Sequence, residues 1–187
     1  MLKLKIILAS TRQGRKGPAV AQWILDAAEA HGAFEVELLD LATVNLPFLD
    51  EPHHPRLKQY THAHTKAWSA TIDSADAFIF VMPEYNFGYT APLKNAIDFL
   101  FQEWQLKPVG LVSYGGISGG LRATELLKPV LTAIKLTVAG EVPIPFFAKL
   151  IGEDGVFIPN EMLTKSAGGM LDGIGRWAKV LGPMRAG

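Results

Sequence analysis

The residues best suited to bind an anion follow the first apolar run of the chain, in the segment Ser10-Thr-Arg-Gln-Gly-Arg15. The apolar run over residues 2–9 predicts a strand, and Pro18 suits the first turn of a helix. The loop between them therefore leads into a helix N-terminus, where free backbone N–H groups and the helix dipole favour negative charge. The donors suited to a phosphate are the side chains of Ser10, Thr11, Arg12 and Arg15.

This loop has neither the three spaced glycines of a dinucleotide-binding turn nor the Gly-Lys-Ser/Thr ending of a P-loop. A mononucleotide phosphate therefore fits the loop better than a tightly held dinucleotide or a triphosphate that is hydrolysed. The alternative is a solvated loop with ordinary surface arginines, and the strand before it and the proline after it favour the phosphate site.

A second candidate segment, Pro83-Glu-Tyr-Asn-Phe-Gly88, follows the apolar run over residues 76–82. That run predicts a strand buried on both faces, which ends at Pro83 because proline cannot donate to a sheet ladder. A helix is predicted to begin near Pro92. The turn combines aromatic faces with hydrogen-bonding groups, notably Glu84, Tyr85 and Asn86. The alternative is that these aromatic residues only cover the edge of a sheet.

A third segment, Ser113-Tyr-Gly-Gly-Ile-Ser-Gly-Gly120, is rich in glycine and follows another apolar run. Glycine lets the backbone approach a flat ligand closely, although glycines are also ordinary in turns. Four histidines, at positions 53, 54, 62 and 64, invite a metal-binding interpretation. His62 and His64 would lie on different faces of a helix, and no acidic pair has convincing ligand spacing. Exposed or interface histidines are favoured, and no metal site is predicted.

Five strand candidates alternate with helix candidates along the chain, which predicts a parallel sheet covered by helices on both faces. The strands are expected at residues 2–9, 34–41, 76–82, 107–114 and 136–142. We expect one domain over residues 1–187, an α/β fold with a doubly wound five-stranded sheet in the order 2-1-3-4-5. The loops after strands one, three and four then meet at one edge. Later helices are expected at residues 57–72, after Gly120 and at residues 161–181. Leu121 and Leu126 of the helix after Gly120, and Trp177 of the last helix, are expected to face the core.

Composition excludes several classes of function. Acidic and basic residues balance at 18 each, so the charge gives no case for a nucleic-acid partner. The chain has no cysteine, which rules out disulfides, thiolate catalysis and cysteine-bound metals. The apolar start is too short for a signal peptide and no run reaches membrane-spanning length, so we expect no membrane insertion. A cytoplasmic location is compatible with these features.

Together, a phosphate loop, an aromatic turn and a glycine-rich wall suggest a flat ring with a phosphate tail, and FMN has that shape. Ala9-Ser-Thr-Arg-Gln-Gly-Arg15, Pro83-Glu-Tyr-Asn86, Leu93-Lys-Asn-Ala-Ile-Asp98, Ser113-Tyr-Gly-Gly116 and Gly119-Gly-Leu-Arg-Ala123 occur in this order. This combination resembles the NADPH-dependent FMN reductase family, whose members have the flavodoxin-like fold. The similarity covers roughly residues 5–142. One departure is Ala9, where the family usually has glycine.

The resemblance implies an NAD(P)H-dependent flavoprotein oxidoreductase that uses NADPH or NADH as co-substrate and reduces flavins, quinones or similar acceptors. It also implies a homodimer or homotetramer with the flavin near a subunit contact. Because the cofactor carries the chemistry, no side chain is assigned to proton transfer. The alternatives are a flavodoxin-type electron carrier, against which the zero net charge argues, and a flavin-free binding module. The residues expected to bind the cofactor are Ser10, Thr11, Arg12, Arg15, Pro83, Glu84, Tyr85, Asn86, Ser113, Gly115 and Gly116.

Overall fold

The computed structural model describes residues 1–185, which include one five-stranded parallel sheet in the order β2-β1-β3-β4-β5. This order and the helices on both faces confirm the predicted fold. The strands are β1 (Leu2–Leu8), β2 (Phe34–Asp40), β3 (Ala77–Pro83), β4 (Pro108–Tyr114) and β5 (Thr137–Ile144). The helices are α1 (Gly17–His31), α2 (Leu41–Val44), α3 (Ala63–Asp73), α4 (Ala91–Asp98), α5 (Leu121–Ala133) and α6 (Glu161–Arg185).

The three middle strands carry the core of the molecule. Every residue of β3 and β4 is buried, as expected of strands that have helices on both faces. One apolar cluster joins the sheet to α1 and α6, and a second joins its other face to α3, α4 and α5. Alternate residues of each strand point to opposite clusters, so Ile79 belongs to the first and Phe78 to the second.

Helix α6 approaches the sheet closely because three glycines remove side chains from the contact. A Cβ on Gly110 of β4 would stand 2.6 Å from the Met170 sulfur, and one on Gly140 of β5 would stand 3.0 Å from Met170 Cα. On the helix itself, a Cβ on Gly173 would lie 2.6 Å from the carbonyl oxygen of Ala139. Gly173, one of the glycines that weaken the helical propensity of this segment, therefore permits its packing against the sheet.

Several predicted boundaries and buried faces were wrong. Helix α3 begins at Ala63 and not near residue 57, because Lys58 adopts a positive φ of 52° and ends the short 3₁₀ turn Pro55–Leu57. Before α3, the carboxylate of Glu51 accepts hydrogen bonds from the backbone N–H groups of Thr61 and His62. Hydrogen bonds between this distant loop and the helix start have no signal in local periodicity.

Other differences concern strand ends and surface residues. Pro83 is the last residue of β3, paired with Tyr114, and β5 continues through Pro143 to Ile144 because an edge strand tolerates proline. Leu121, Leu126 and Trp177 are exposed and do not face the core. The short helix α2, which was not predicted, begins after Asp40, whose carboxylate accepts a hydrogen bond from the N–H of Ala42.

Candidate functional site

The predicted phosphate loop lies at the carboxyl end of β1, and its first residues are held firmly by the neighbouring strand and helix. The backbone N–H of Ala9 donates to the carbonyl oxygen of Val81 at 2.9 Å, and its own carbonyl accepts from the Thr90 hydroxyl at 2.9 Å. Thr90 also caps α4 by accepting from the N–H of Leu93. The methyl group that Ala9 carries in place of the family's usual glycine is therefore buried in the core, where the exposure of the residue is 0%.

Ser10 has an unusual environment for a hydroxyl group. Its side chain is buried, with 1% exposure of the residue, and among residues 1–185 no group has the geometry of a hydrogen bond to Oγ, although the Tyr114 hydroxyl lies close enough to interact with it. A buried polar atom without a partner costs free energy, so such an atom calls for an explanation. Helix α1 begins nearby at Gly17, and no side chain caps its N-terminus. An unpaired hydroxyl beside an uncapped helix start is a suitable environment for a phosphate group.

Gly17 lies between the side chains of Ser10 and Tyr114, and it was not among the residues predicted to form the site. A Cβ at this position would stand 2.4 Å from both Ser10 Oγ and the Tyr114 hydroxyl oxygen, too close for any side chain. Tyr114 is itself 3% exposed, and burial raises the pKa of its hydroxyl to about 12. It therefore keeps its proton at neutral pH beside the loop.

The two arginines of the loop have different surroundings. Arg12 is exposed, with one long contact of 3.5 Å to the carbonyl of Gln13. Arg15 instead binds the carboxylate of Asp40, with Nη1 2.6 Å from Oδ1, and it also donates to the carbonyl of Ser10. The hydrogen bond to Asp40 raises the pKa of Arg15 and lowers the pKa of Asp40. A phosphate role for Arg15 stays a prediction, and the structure shows that this side chain already holds the loop.

The turn after β3 is a two-residue hairpin closed by Tyr85 and Gly88, whose backbone groups exchange two hydrogen bonds of 2.9 Å. Asn86 and Phe87 occupy its centre with positive φ values of 48° and 69°. The side chains of Tyr85, Asn86 and Phe87 are exposed at the sheet edge. They are therefore accessible to a ligand and contribute little to the core.

Glu84 is the exception in this turn, because its carboxylate contacts the glycine-rich segment. It accepts from the Ser118 hydroxyl at 2.9 Å and from Arg122 Nε at 2.8 Å. Burial raises the pKa of Glu84, but these hydrogen bonds and the charge of Arg122 outweigh that effect and leave the pKa below its usual value. The side chain of Glu84 is therefore a charged link between two loops, a role the sequence did not indicate.

The glycine-rich segment divides into tightly packed and open positions. Gly119 and Gly120 have positive φ values, and a Cβ on Gly120 would stand 2.7 Å from the Ser113 side chain. Ser113 is buried and donates to the carbonyl of Gly119 at 2.9 Å. The N–H of Gly115 already donates to the carbonyl of Ile144, so it is less suited to the predicted contact with the ring edge. At Gly116 nothing lies within 4 Å of where a Cβ would stand.

These segments surround a cavity of about 390 Å³, within the size range of small-molecule sites. The loops after β1, β3 and β4 contribute to it, as predicted from the sheet order. The sequence did not indicate the fourth wall of the cavity. This wall is formed by the segment after β5, which includes the start of the 3₁₀ turn Phe147–Leu150. The ring of Phe147 packs against Tyr114 with centroids 4.7 Å apart. The lining residues are Arg12, Arg15, Lys16, Pro83, Glu84, Tyr85, Tyr114, Gly115, Gly116, Phe146, Phe147, Ala148 and Lys149.

The cavity presents positive side chains and an aromatic wall together. Arg12, Lys16 and Lys149 are exposed cations at its margin, and Glu84 is already paired with Arg122. Asn86, Ser10 and Thr11 do not line this cavity, although all three lie in loops that do. A second cavity of about 410 Å³ lies beside Thr11, between α2 and α4, where Phe48 is 85% exposed.

The model of one protein family matches residues 2–149, and its description is NADPH-dependent FMN reductase. The chain belongs to the NADPH-dependent FMN reductase family. Within residues 1–185, the matched region contains the three loops and the fourth wall of the cavity. The family assignment and the cavity thus concern the same part of the chain.

Individual relatives agree with this family. An NAD(P)H-dependent FMN reductase of Schizosaccharomyces pombe is 38% identical over 180 residues, which cover 95% of this chain and 90% of that protein. An FMN-dependent NADPH-azoreductase of Staphylococcus saprophyticus is 30% identical over 76% of this chain and 74% of its own length. The solved structure of FerB, a flavoenzyme NAD(P)H:(acceptor) oxidoreductase from Paracoccus denitrificans, has a TM-score of 0.77. It covers 96% of this chain and 98% of its own at 23% identity, which shows a shared fold.

The histidines do not form a metal centre. Among residues 1–185, no group of three or more metal-binding side chains is close enough to hold an ion. His62 and His64 stack with centroids 5.2 Å apart, and His64 Nε2 lies 3.0 Å from the Asp50 carboxylate. His54 caps the short 3₁₀ turn that follows it. In the same residues, no helix has the length and apolar character needed to cross a bilayer.

Proposed function

We propose that this protein is an NAD(P)H-dependent flavoprotein oxidoreductase that holds FMN at the carboxyl edge of its sheet. The electrons would pass from NADPH or NADH to acceptors of the flavin or quinone type. The observation that carries the proposal is the convergence of three loops on one cavity of about 390 Å³, with an unpaired buried hydroxyl at its phosphate loop. Membership of the FMN reductase family supports the same assignment.

The residues present fit a flavin mononucleotide. Within residues 1–185, Ser10 Oγ has no well-formed hydrogen bond, Arg12 is exposed, and α1 begins without a side-chain cap, so this loop can accept a phosphate. Gly116 leaves open space where a flat ring can approach the backbone. FMN, when bound, supplies the hydride-accepting ring.

The protein groups would then bind, orient and exclude water. Ser10, Thr11 and Arg12 would hold the phosphate, while Arg15 would keep the loop in shape through Asp40. The backbone and side chains of Pro83, Tyr85 and Asn86 would lie along one side of the ring. Gly115 and Gly116 would form the opposite side, and buried Ser113 would hold their loop through the carbonyl of Gly119. No side chain of this site is assigned to proton transfer.

A homodimer or homotetramer is part of the proposal. The second cavity, about 410 Å³, lies next to the phosphate loop, and the exposed ring of Phe48 stands at its margin. Large apolar groups that cluster beside a concave surface are typical of protein contacts. Sedimentation at micromolar concentration should give a mass well above the 20.4 kDa of one chain, and a monomer alone would contradict this part.

We further propose that the chain forms one domain and acts in the cytoplasm, where NADPH and NADH are present. A tagged protein that sediments with membranes or is found outside the cell would contradict this location.

The visible spectrum of the purified protein tests the function. A yellow protein that NADPH or NADH bleaches rapidly under anaerobic conditions is expected. A protein that stays yellow with both nucleotides would be an electron carrier of the flavodoxin type. A colourless protein that takes up no added FMN would support a flavin-free binding module.

A further inference from the structure

The hairpin after β3 contains a strained residue at its tip. Asn86 and Phe87 both have positive φ values, the combination required at the centre of a type I′ turn. Asparagine adopts this conformation readily, whereas a large residue such as phenylalanine does so rarely. Strain of this kind persists only where the surroundings hold it, and it is frequent at functional sites.

Arg122, in the first turn of α5, is the residue that covers Phe87. The guanidinium carbon of Arg122 lies 3.9 Å from the centroid of the Phe87 ring, which is the geometry of a cation–π contact. The Phe87 side chain has little other cover, since the residue is 61% exposed. The strained tip of the hairpin is therefore fastened to α5 through one side chain.

The same arginine is fixed by Glu84, at the base of the hairpin. Arg122 Nε and Nη2 each lie 2.8 Å from Oε1 of Glu84, and the backbone N–H of Arg122 donates to Oε2 at 3.2 Å. Ser118 donates to Oε2 as well. The Glu84 side chain is only 8% exposed, so this pair is screened less than a surface ion pair. The ion pair also places the Glu84 carboxylate at the start of α5, where Gly120 offers no side-chain cap.

We propose that Arg122 is a positioning residue, which clamps the Tyr85–Gly88 hairpin by binding Glu84 at its base and covering Phe87 at its tip. The clamp joins the loops after β3 and β4, so it sets the width of the space between the hairpin and Gly116. Its consequence for cofactor binding rests on the proposed function, because it presumes that FMN occupies this space. Arg122 would act through the hairpin without touching the reacting atoms.

The test compares Arg122→Ala in the natural sequence with the same change in a Phe87→Gly background. Glycine at position 87 adopts a positive φ without strain, so the hairpin no longer needs the clamp at its tip. We expect Arg122→Ala to weaken FMN binding about tenfold in the natural sequence, since the cation–π contact with Phe87 and the ion pair with Glu84 are together worth roughly that factor. In the Phe87→Gly background only the ion pair with Glu84 is left to lose, so the additional loss should fall to about threefold.

Two further measurements separate positioning from general damage. Arg122→Lys keeps the charge and should recover part of the FMN affinity, although it lacks the planar fork that binds Glu84. Chymotrypsin should cut after Tyr85 or Phe87 faster in Arg122→Ala than in the natural protein, as mapped by mass spectrometry. Lys128→Ala is the matched control, because it removes a cation of the same helix that is paired with Glu125 and with Glu141 of β5, away from the hairpin.

The outcomes distinguish this proposal from the proposed function. An equal loss of FMN affinity in both backgrounds, with no change in cleavage, would overturn the clamp. So would equal effects of Arg122→Ala and Lys128→Ala on cleavage of the hairpin. If the natural protein binds no FMN, the proposed function fails, while the cleavage rates of the unliganded proteins still decide whether Arg122 holds the hairpin.

Discussion

The guanidinium group of Arg15 binds the carboxylate of Asp40 across the carboxyl ends of β1 and β2, and it also donates to the carbonyl of Ser10. The loop after β1 is thus fastened to the edge strand by a partly buried ion pair. Arg12, three residues earlier in the same loop, is exposed and has no such partner carboxylate within residues 1–185. Two arginines that look equivalent in the sequence therefore have different expected roles.

The first prediction separates these roles with FMN and riboflavin, which differ only by the phosphate. Arg12→Ala should weaken FMN binding about ten- to hundredfold, because a charge-assisted hydrogen bond is worth roughly 1.5–3 kcal/mol. Riboflavin binding should be almost unchanged. Arg15→Ala should weaken both flavins and lower thermal stability, because it releases the loop. Titrations of flavin fluorescence and thermal unfolding give these quantities, and an equal loss of both flavins in Arg12→Ala would contradict the phosphate assignment.

The second prediction concerns acid stability. The hydrogen bond from Arg15 lowers the pKa of Asp40 below its ordinary value of 3.8, so this carboxylate stabilises the folded protein above that pH. The contribution is lost as the pH falls through the lowered pKa. The difference in unfolding free energy between the natural protein and Asp40→Asn should therefore be largest above about pH 5 and shrink toward pH 3. Urea unfolding at several pH values measures it.

The matched control is Asp40→Asn in an Arg15→Ala background. Without the guanidinium, the substitution should produce a smaller dependence on pH, because only the N–H of Ala42 still stabilises the carboxylate. If the same dependence persists there, another group holds the carboxylate, and Arg15 is not the cause of the lowered pKa.

The fold could be predicted from the sequence because its strongest signals are local. β3 and β4 read as continuous apolar runs, and the alternation of strands with helices restricts the sheet to a few orders. The wrong predictions concern helix and strand boundaries that depend on a contact between residues distant in the sequence. The start of α3 depends on Glu51, ten residues before Thr61, and no periodicity within the helix reports that contact.

The sequence predicted which loops meet at the candidate site, but it did not predict which contacts their individual side chains make. Glu84 and Arg15 were expected to face a ligand, yet each forms an ion pair with a residue at least 25 positions away. Such pairs depend on how strands neighbour one another in space. The wall formed by Phe146 and Phe147 directly follows the end of β5, and the two prolines there gave no sign that the chain folds back onto Tyr114.

The third prediction uses two glycines of the same turn. Gly116→Val should leave thermal stability nearly unchanged, because nothing lies within 4 Å of the new Cβ, but the side chain should obstruct the flavin ring. FMN and riboflavin should both bind at least tenfold more weakly, since the obstruction concerns the ring they share. Gly120→Val is the contrast, because a Cβ there meets Ser113 at 2.7 Å and φ is 88°. That variant should unfold at a clearly lower temperature. Normal flavin binding by a folded Gly116→Val protein would place the ring elsewhere.

The fourth prediction concerns Ser10, whose buried hydroxyl has no well-formed hydrogen bond to any of the described residues 1–185. Replacing it by alanine removes an unsatisfied polar atom, so Ser10→Ala should leave the flavin-free protein equally stable or more stable by up to about 1 kcal/mol. Ser113→Ala is the matched control, because that equally buried hydroxyl donates to Gly119, and its loss should destabilise by roughly 1–2 kcal/mol. FMN affinity should fall about tenfold in Ser10→Ala while riboflavin affinity holds. A destabilised Ser10→Ala protein with unchanged FMN affinity would mean that the hydroxyl serves the fold through its interaction with the Tyr114 hydroxyl.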